Sequence, residues 1–405
     1  MLAAYAEVFD RYAADLPEPQ RKARRTALQR FLDAGFPTPR IEDWHYTDLA
    51  PLAGQQFSLP AVPDQGPLPD LFAEADRLVY RDGRLDRAAS TAAELHADTL
   101  PEPVPVDSVT ALNAAFAGGG LHLKLGRGQR RARPLQVLVA AGAGQTMVHQ
   151  RHRIELADIA QAVVVFQFTG RAGARLGTQV IDIVLAAGAR LDLYRVQDEQ
   201  EGATLLTRID ASLDRDSRLH AVTVDCGSGL VRHDFNVSLA GPGAEVELSG
   251  LYRPAPGAHL DNQTRIVHAA PHCRSRERFK GIVEARAKAI YVGKVVVRPG
   301  AQKTDSEQHV ANLLLSKKAE VNAKPELEIY ADDVKCAHGA TVGQLDETAL
   351  EYLRSRGIEA AVARAMLLRA FGTEVLDGIA LPGLRQQLAD RMGLGAEDHF
   401  AEIEP

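Results

Sequence analysis

Between residues 121 and 345 short apolar runs alternate with small turns, and the 3.6-residue period of a helix is mostly absent. Runs such as Leu135-Gln-Val-Leu-Val, Val180-Ile-Asp-Ile-Val-Leu, Leu219-His-Ala-Val-Thr-Val and Phe235-Asn-Val-Ser-Leu predict strands. A corner leading into a strand recurs at Gly188-Ala-Arg-Leu, Asp216-Ser-Arg-Leu and Gly243-Ala-Glu-Val, at intervals of 28 and 27 residues. Pro271-His-Cys-Arg continues the spacing, and Arg286-Ala-Lys-Ala-Ile marks a half-interval. Two strands and two corners per repeat account for this pattern, which favours a β-solenoid whose coils stack on one continuous core. Short, evenly spaced strands also fit a sandwich, but most corners lack hairpin chemistry. The last coil of a solenoid exposes unpaired strand edges and needs a cap or a partner.

The flanks read differently. Tyr5, Val8, Phe9 and Tyr12, then Leu28, Phe31 and Leu32, have helical spacing on either side of Pro17-Glu18-Pro19. The basic run Arg21, Lys22, Arg24 and Arg25 reads as a solvated helix face, with an anion site as the alternative. Residues 36–52 predict a loop pinned by Trp44 and Tyr46, with His45 at the surface or in packing. Arg77 to Leu85 is a strand candidate turning at Asp82-Gly83. Glu102-Pro103-Val104-Pro105 reads as an extended spacer. Val109 to Phe116 reads as a short helix with Ser108 as N-cap. After Leu345 the pattern turns helical, over Glu347–Arg356 behind the N-cap Asp346, about Ile358–Leu376, and Leu384–Met392. Three regions follow: a helical and mixed part at 1–120, a β core at 121–345, and a helical module at 346–405 that caps the stack or docks a partner.

A chain of 405 residues with 45% hydrophobic and 25% charged residues is an ordinary globular composition. The net charge of −6 argues against a general nucleic-acid binder. Cys226, Cys273 and Cys336 are too few for a disulfide framework, so a reducing, cytoplasmic setting is expected. No signal peptide and no membrane span are expected.

Phosphate-loop, nucleophile-elbow, CxxC and HExxH motifs are absent, so catalysis by this chain has no positive case. Cys336 and His338 lie two residues apart and share a face of an extended segment. They read either as a buried thiol and a hydrogen-bonded core histidine, or as two ligands of iron or a cluster completed from elsewhere. His268, His272 and Cys273, followed by Arg274, Arg276 and Arg278, read as a solvent-facing corner, with a ligand or anion site as the alternative. Cys226 reads as structural, and His309 as a residue on the polar face.

Gly300-Ala-Gln-Lys-Thr-Asp-Ser-Glu-Gln, Asn312-Leu-Leu-Leu-Ser, the stretch from Ala319 to Gly343 and Tyr352-Leu-Arg-Ser-Arg-Gly-Ile together resemble the SufB/SufD family, scaffold proteins of the SUF iron–sulfur cluster assembly system. Trp44-His-Tyr-Thr-Asp-Leu and Ala111-Leu-Asn-Ala-Ala-Phe extend the resemblance toward the N-terminus, on the SufD side of the family. The resemblance implies a right-handed parallel β-helix between helical parts. It implies a complex with SufB, met through the β-helix ends, and with the SufC ATPase, bound by the C-terminal helices. It also implies a nascent cluster shared transiently with SufB, with His338 and its neighbour Cys336 as candidate ligands. Reduced flavin is associated with some family complexes. No tightly bound cofactor is expected in this chain alone, and a homodimer is an option for the isolated chain. Two other classes stand beside this one: a β-helix carbohydrate-active enzyme, which would need clustered catalytic residues, and a self-associating interaction protein.

Overall fold

The computed structural model of the chain describes residues 2–395 except 15, 70, 71, 73 and 102–104. Most of the expected spacer at 102–105 therefore lies outside the described residues. Two helices come first, α1 (Ala3–Ala13) and α2 (Glu18–Ala34), separated at Pro17 as their periodicity requires. β1 (Asp76–Arg81) and β2 (Arg84–Leu85) form the expected hairpin, with Asp82 and Gly83 at positive φ. A short β3 (His96–Ala97) and helix α3 (Ser108–Phe116) follow. The N-cap of α3 is Asp107 rather than Ser108. Its carboxylate accepts from the Thr110 N–H while the Thr110 hydroxyl accepts from the Asp107 N–H, closing a capping box.

Sixteen strands then wind as a parallel solenoid of eight coils, alternating between two sheets. One sheet takes β4 (Gly120–Leu125), β6 (Thr146–Leu156), β8 (Arg175–Leu185), β10 (Ala203–Leu213), β12 (Leu230–Leu239), β14 (His259–His268), β16 (Lys288–Val297) and β18 (Glu320–Ile329). The other takes β5 (Leu135–Ala141), β7 (Gln161–Gly170), β9 (Arg190–Glu199), β11 (Arg218–Asp225), β13 (Glu245–Tyr252), β15 (Arg274–Val283), β17 (Asp305–Leu314) and β19 (Lys335–Gly343). β1 adds to the second sheet beside β5, so residues before 120 contribute a strand to the stack. The parallel pairing of every neighbouring coil rules out the sandwich.

The repeat has a backbone cause. Gly188, Asp216 and Gly243 stack in one column of corners, each with φ between 56° and 72°, and His272 and Lys303 continue it. A left-handed residue at each coil turns the chain, and Gly or Asp takes that conformation at least cost. The corner N–H donates to the next coil's carbonyl, Gly188 to Arg215 at 2.8 Å and Asp216 to Pro242 at 3.0 Å. Inward positions of both sheets, such as Leu193, Ile209, Val237, Leu248 and Val295, bury one continuous apolar core.

Both flanks lie on the outside of the stack. Trp44, in the loop at 36–52, is buried, and the Arg232 guanidinium stands 3.9 Å from its ring centre. Thr47 donates to Asp261 at 2.6 Å, which ties the same loop to β14. Arg24 of the basic run donates to the Ala117 carbonyl at 2.6 Å, locking α2 to the end of α3. At the other end, α4 (Glu347–Ser355) is capped by Asp346, as expected. α5 (Ala360–Leu376) is capped by Glu359, and α6 (Pro382–Arg391) starts two residues earlier than its apolar pattern implied. Leu368, Val375 and Leu388 from this module pack on Tyr194, Val222, Leu251 and Ile282, which face outward from the second sheet. Lys280 of β15 is bonded to Glu374 and to the Phe371 carbonyl of α5. No described helix is long and apolar enough to cross a membrane.

Candidate functional site at the open end of the solenoid

The last coil has neighbours on one side only. β18 pairs with β16 and β19 with β17, and the outer edge of each lacks a strand partner among the described residues. Both strands point an apolar row into the open end of the stack: Val321, Ala323, Pro325 and Leu327 from β18, and Ala340 and Val342 from β19. Ile329 and Val342 are exposed, whereas their register partners on the preceding coil, Val297 and Asn312, are buried, and Tyr330 beside Ile329 is exposed as well.

Cys336 and His338 occupy the inward row of β19. Parallel register carries each along the axis of the stack. Ser275, Ser306 and Cys336 are aligned on β15, β17 and β19, as are Glu277, Gln308 and His338. The first row is a hydrogen-bonded string: His268 Nε2 lies 2.9 Å from Ser275 Oγ, which donates to Ser306 Oγ at 2.8 Å. Cys336 is half-buried above it. Burial raises its thiol, the Asp305 carboxylate raises it further, and the Ser306 backbone bond only partly offsets this, so the free chain holds a thiol rather than a thiolate. His338 is exposed.

In the second row Glu277 is buried, and its hydrogen-bond partners among the described residues are neutral. Gln308 Nε2 donates to its Oε2 at 2.8 Å and the Tyr291 hydroxyl to its Oε1 at 3.3 Å. Burial without a compensating cation raises this carboxyl. Room for the amide comes from Gly293, where a Cβ would stand 2.2 Å from Gln308 Nε2 and 2.4 Å from the Tyr291 oxygen.

Among the described residues no group of three or more His, Cys, Asp or Glu side chains is placed to hold a metal ion. Cys336 and His338 come together as their spacing implied, but as two donors of an incomplete set. His309 faces outward on the opposite side of β17, as expected of a polar-face residue. The corner at 268–273 is not uniformly solvent-facing. His272 is exposed at φ 61°, whereas His268 and Cys273 are fully buried. Cys226 is half-buried with its thiol pushed up to about 12 by burial, and its Sγ contacts the Gln197 carbonyl, a packing role. Gln308 and Glu277 escaped the sequence reading. Both are polar residues within charged stretches, and only coil register shows that they point inward beneath His338.

On α5 and its surroundings a groove of about 1050 Å³ runs past Val362, Met366, Arg369 and Arg253. Its lining is more apolar than polar.

The model of the SUF system FeS cluster assembly SufBD core domain matches residues 138–371, from β5 in the first coil to α5. The chain is 34% identical over 383 residues to the iron–sulfur cluster assembly protein SufD of Escherichia coli K12, covering 90% of each. It is 31% identical over 295 residues to a SufBD family protein of Mycobacterium leprae, covering 70% of this chain and 74% of that one. Over 311 residues it is 31% identical to a SufBD family protein of Mycobacterium tuberculosis, covering 74% and 76%.

Proposed function

Because the chain belongs to the SufBD family of the SUF system, whose work is iron–sulfur cluster assembly, we propose that it is a non-catalytic scaffold subunit whose open solenoid end pairs with a SufB-type partner and whose residues 346–405 dock the SufC ATPase. The observation that carries this reading is the coincidence on one coil of three features: unpaired strand edges, an exposed apolar lining, and the inward pair Cys336 and His338. An edge strand with an apolar lining is a surface made to be covered. Two soft or borderline donors at that edge form half of a site for a nascent cluster, the remaining donors coming from the partner. His338 is the stronger candidate, because an imidazole ligates through a ring-nitrogen lone pair, whereas the Cys336 thiol must first lose a proton that burial holds in place. Its work is assembly, in the cytoplasm, and the cluster is its cargo.

The test is co-expression with SufB and SufC in cells lacking the native subunit, with cluster-dependent enzyme activity as readout. His338→Ala is expected to abolish most of the activity with the complex still assembled, and Cys336→Ser to lower it less. Full activity with His338→Ala refutes the ligand assignment. The docking arm uses Met366→Glu on the exposed groove, which should release SufC and keep SufB. Deleting residues 346–405 is a poor substitute, because it bares Val222, Leu251 and Ile282 on the solenoid.

A further inference from the structure

Gln308 carries an unpaid polar atom next to the candidate ligand. Its Nε2 is committed to Glu277 at 2.8 Å, and its Oε1 is buried with no partner among the described residues. A buried carbonyl left without a donor costs about 1–3 kcal/mol. The row leaves little choice of donor. Below Gln308 lies the carboxyl of Glu277, and above it in register, one strand spacing away, lies His338. The imidazole is a ring N–H donor with a second nitrogen to spare. Gly293 leaves space for the amide in this place, so the acceptor is held rather than incidental.

We infer that Gln308, held by Glu277, is the positioning residue that orients His338: its Oε1 accepts the inward ring N–H, fixing one tautomer and turning the other nitrogen's lone pair outward at the open end. In the free chain the ring is exposed and not yet bonded to the amide. The bond forms when the ring turns inward, as covering of the end coil favours. Glu277 acts one step further back. Its oxygen, buried among Gln308, Tyr291 and Thr264, keeps the amide from flipping. Histidine ligands characteristically have their second nitrogen bonded in this way, and loss of such a partner costs about 10- to 100-fold in affinity or activity. The inference rests on the ligand reading of His338, and the two are separated by the experiment.

The experiment is a double-mutant cycle in the complex, with cluster-dependent activity as readout. Gln308→Met, of similar volume but without the acceptor, should lower activity about 10-fold or more while melting near the native temperature. In a His338→Ala background it should lower it no further, because it acts through the ring. Glu277→Gln, which keeps an acceptor for the amide, should retain activity. Glu277→Leu, which frees the amide, should not, and it replaces Gln308→Met if that variant misfolds. Native activity with Gln308→Met where His338→Ala is impaired, or an equal loss with and without His338, overturns the inference. The ring ¹⁵N shifts of His338 in the complex give a readout independent of cluster assembly. One tautomer is expected in the native chain and a mixture in Gln308→Met, whereas identical spectra overturn the inference even if His338→Ala proves silent. A silent His338→Ala with a Gln308-dependent tautomer defeats only the ligand reading.

Discussion

Arg195 lies fully buried on the inward face of β9, where a strand would ordinarily present an apolar residue. Its guanidinium donates through both terminal nitrogens to the Asp225 carboxylate at 2.9 Å, and one of them also reaches His233 Nε2 at 2.5 Å. Burial alone would raise the Asp225 carboxyl, but Arg195 and His233 outweigh it and hold it at about 2. The pair is therefore interdependent. Arg195→Met leaves a buried carboxylate uncompensated and should cost about 3–5 kcal/mol, read as a lower denaturation midpoint at unchanged slope. Arg195→Met with Asp225→Leu should recover most of the loss, since an apolar replacement removes both desolvated charges. At the candidate site the residue scale divides legible from hidden. Cys336 and His338 are visible as a thiol and an imidazole two apart on an extended segment. Gln308 has no such signature, because its role depends on a residue 30 positions later meeting it across a coil.

At the scale of the element, β18 and β19 are ordinary strands in an unusual position. Their inward residues repeat the apolar row of the coils before them, but with no further coil to cover it. Ile329 and Val342 are consequently exposed, and a lysine at either loses little packing in the free chain. Ile329→Lys with Val342→Lys should leave stability within about 0.5 kcal/mol per site, as for surface changes. The same pair should abolish association through the end coil, with SufB or with a second copy, measured by sedimentation velocity. Unchanged association places the interface elsewhere. Strands β6, β10, β14, β15 and β17 are the ones least legible from the sequence. β15, for example, reads Arg-Ser-Arg-Glu-Arg-Phe-Lys-Gly-Ile-Val. Its outward arginines pair with Asp305, Glu307 and Glu374, and its inward Ser275 and Glu277 bond to neighbouring coils, so charge stands where periodicity looks for apolar residues. The corners were legible, because left-handed backbone selects Gly and Asp locally.

For the whole molecule, burial of histidines makes stability depend on acid. His149 lies between the solenoid and α3, bonded to Thr178 at 2.7 Å and stacked on Phe116. Burial lowers it to about 3, and burial lowers His152 and His268 to about 4. In the unfolded chain these imidazoles titrate near 6.5. Between that value and the folded ones the unfolded state binds more protons, so stability is fully present above about pH 6.5 and falls as pH drops toward 4. His149 alone should account for roughly 2 kcal/mol between pH 7 and pH 5. Urea unfolding at the two pH values should show this slope, and His149→Asn should reduce it. An equal slope in that variant excludes His149 as a source.

The sequence by itself determined the solenoid, its repeat, the helical flanks, and the pairing of Cys336 with His338 on one face. Each of these is a matter of local conformation or short-range periodicity. The tertiary structure decided which coil is last, which polar residues point inward, and what stands beneath each ligand candidate. Those depend on parallel register between residues about 30 apart, where alternation along a strand reports that two faces differ but not which charged residue will find its partner on the next coil.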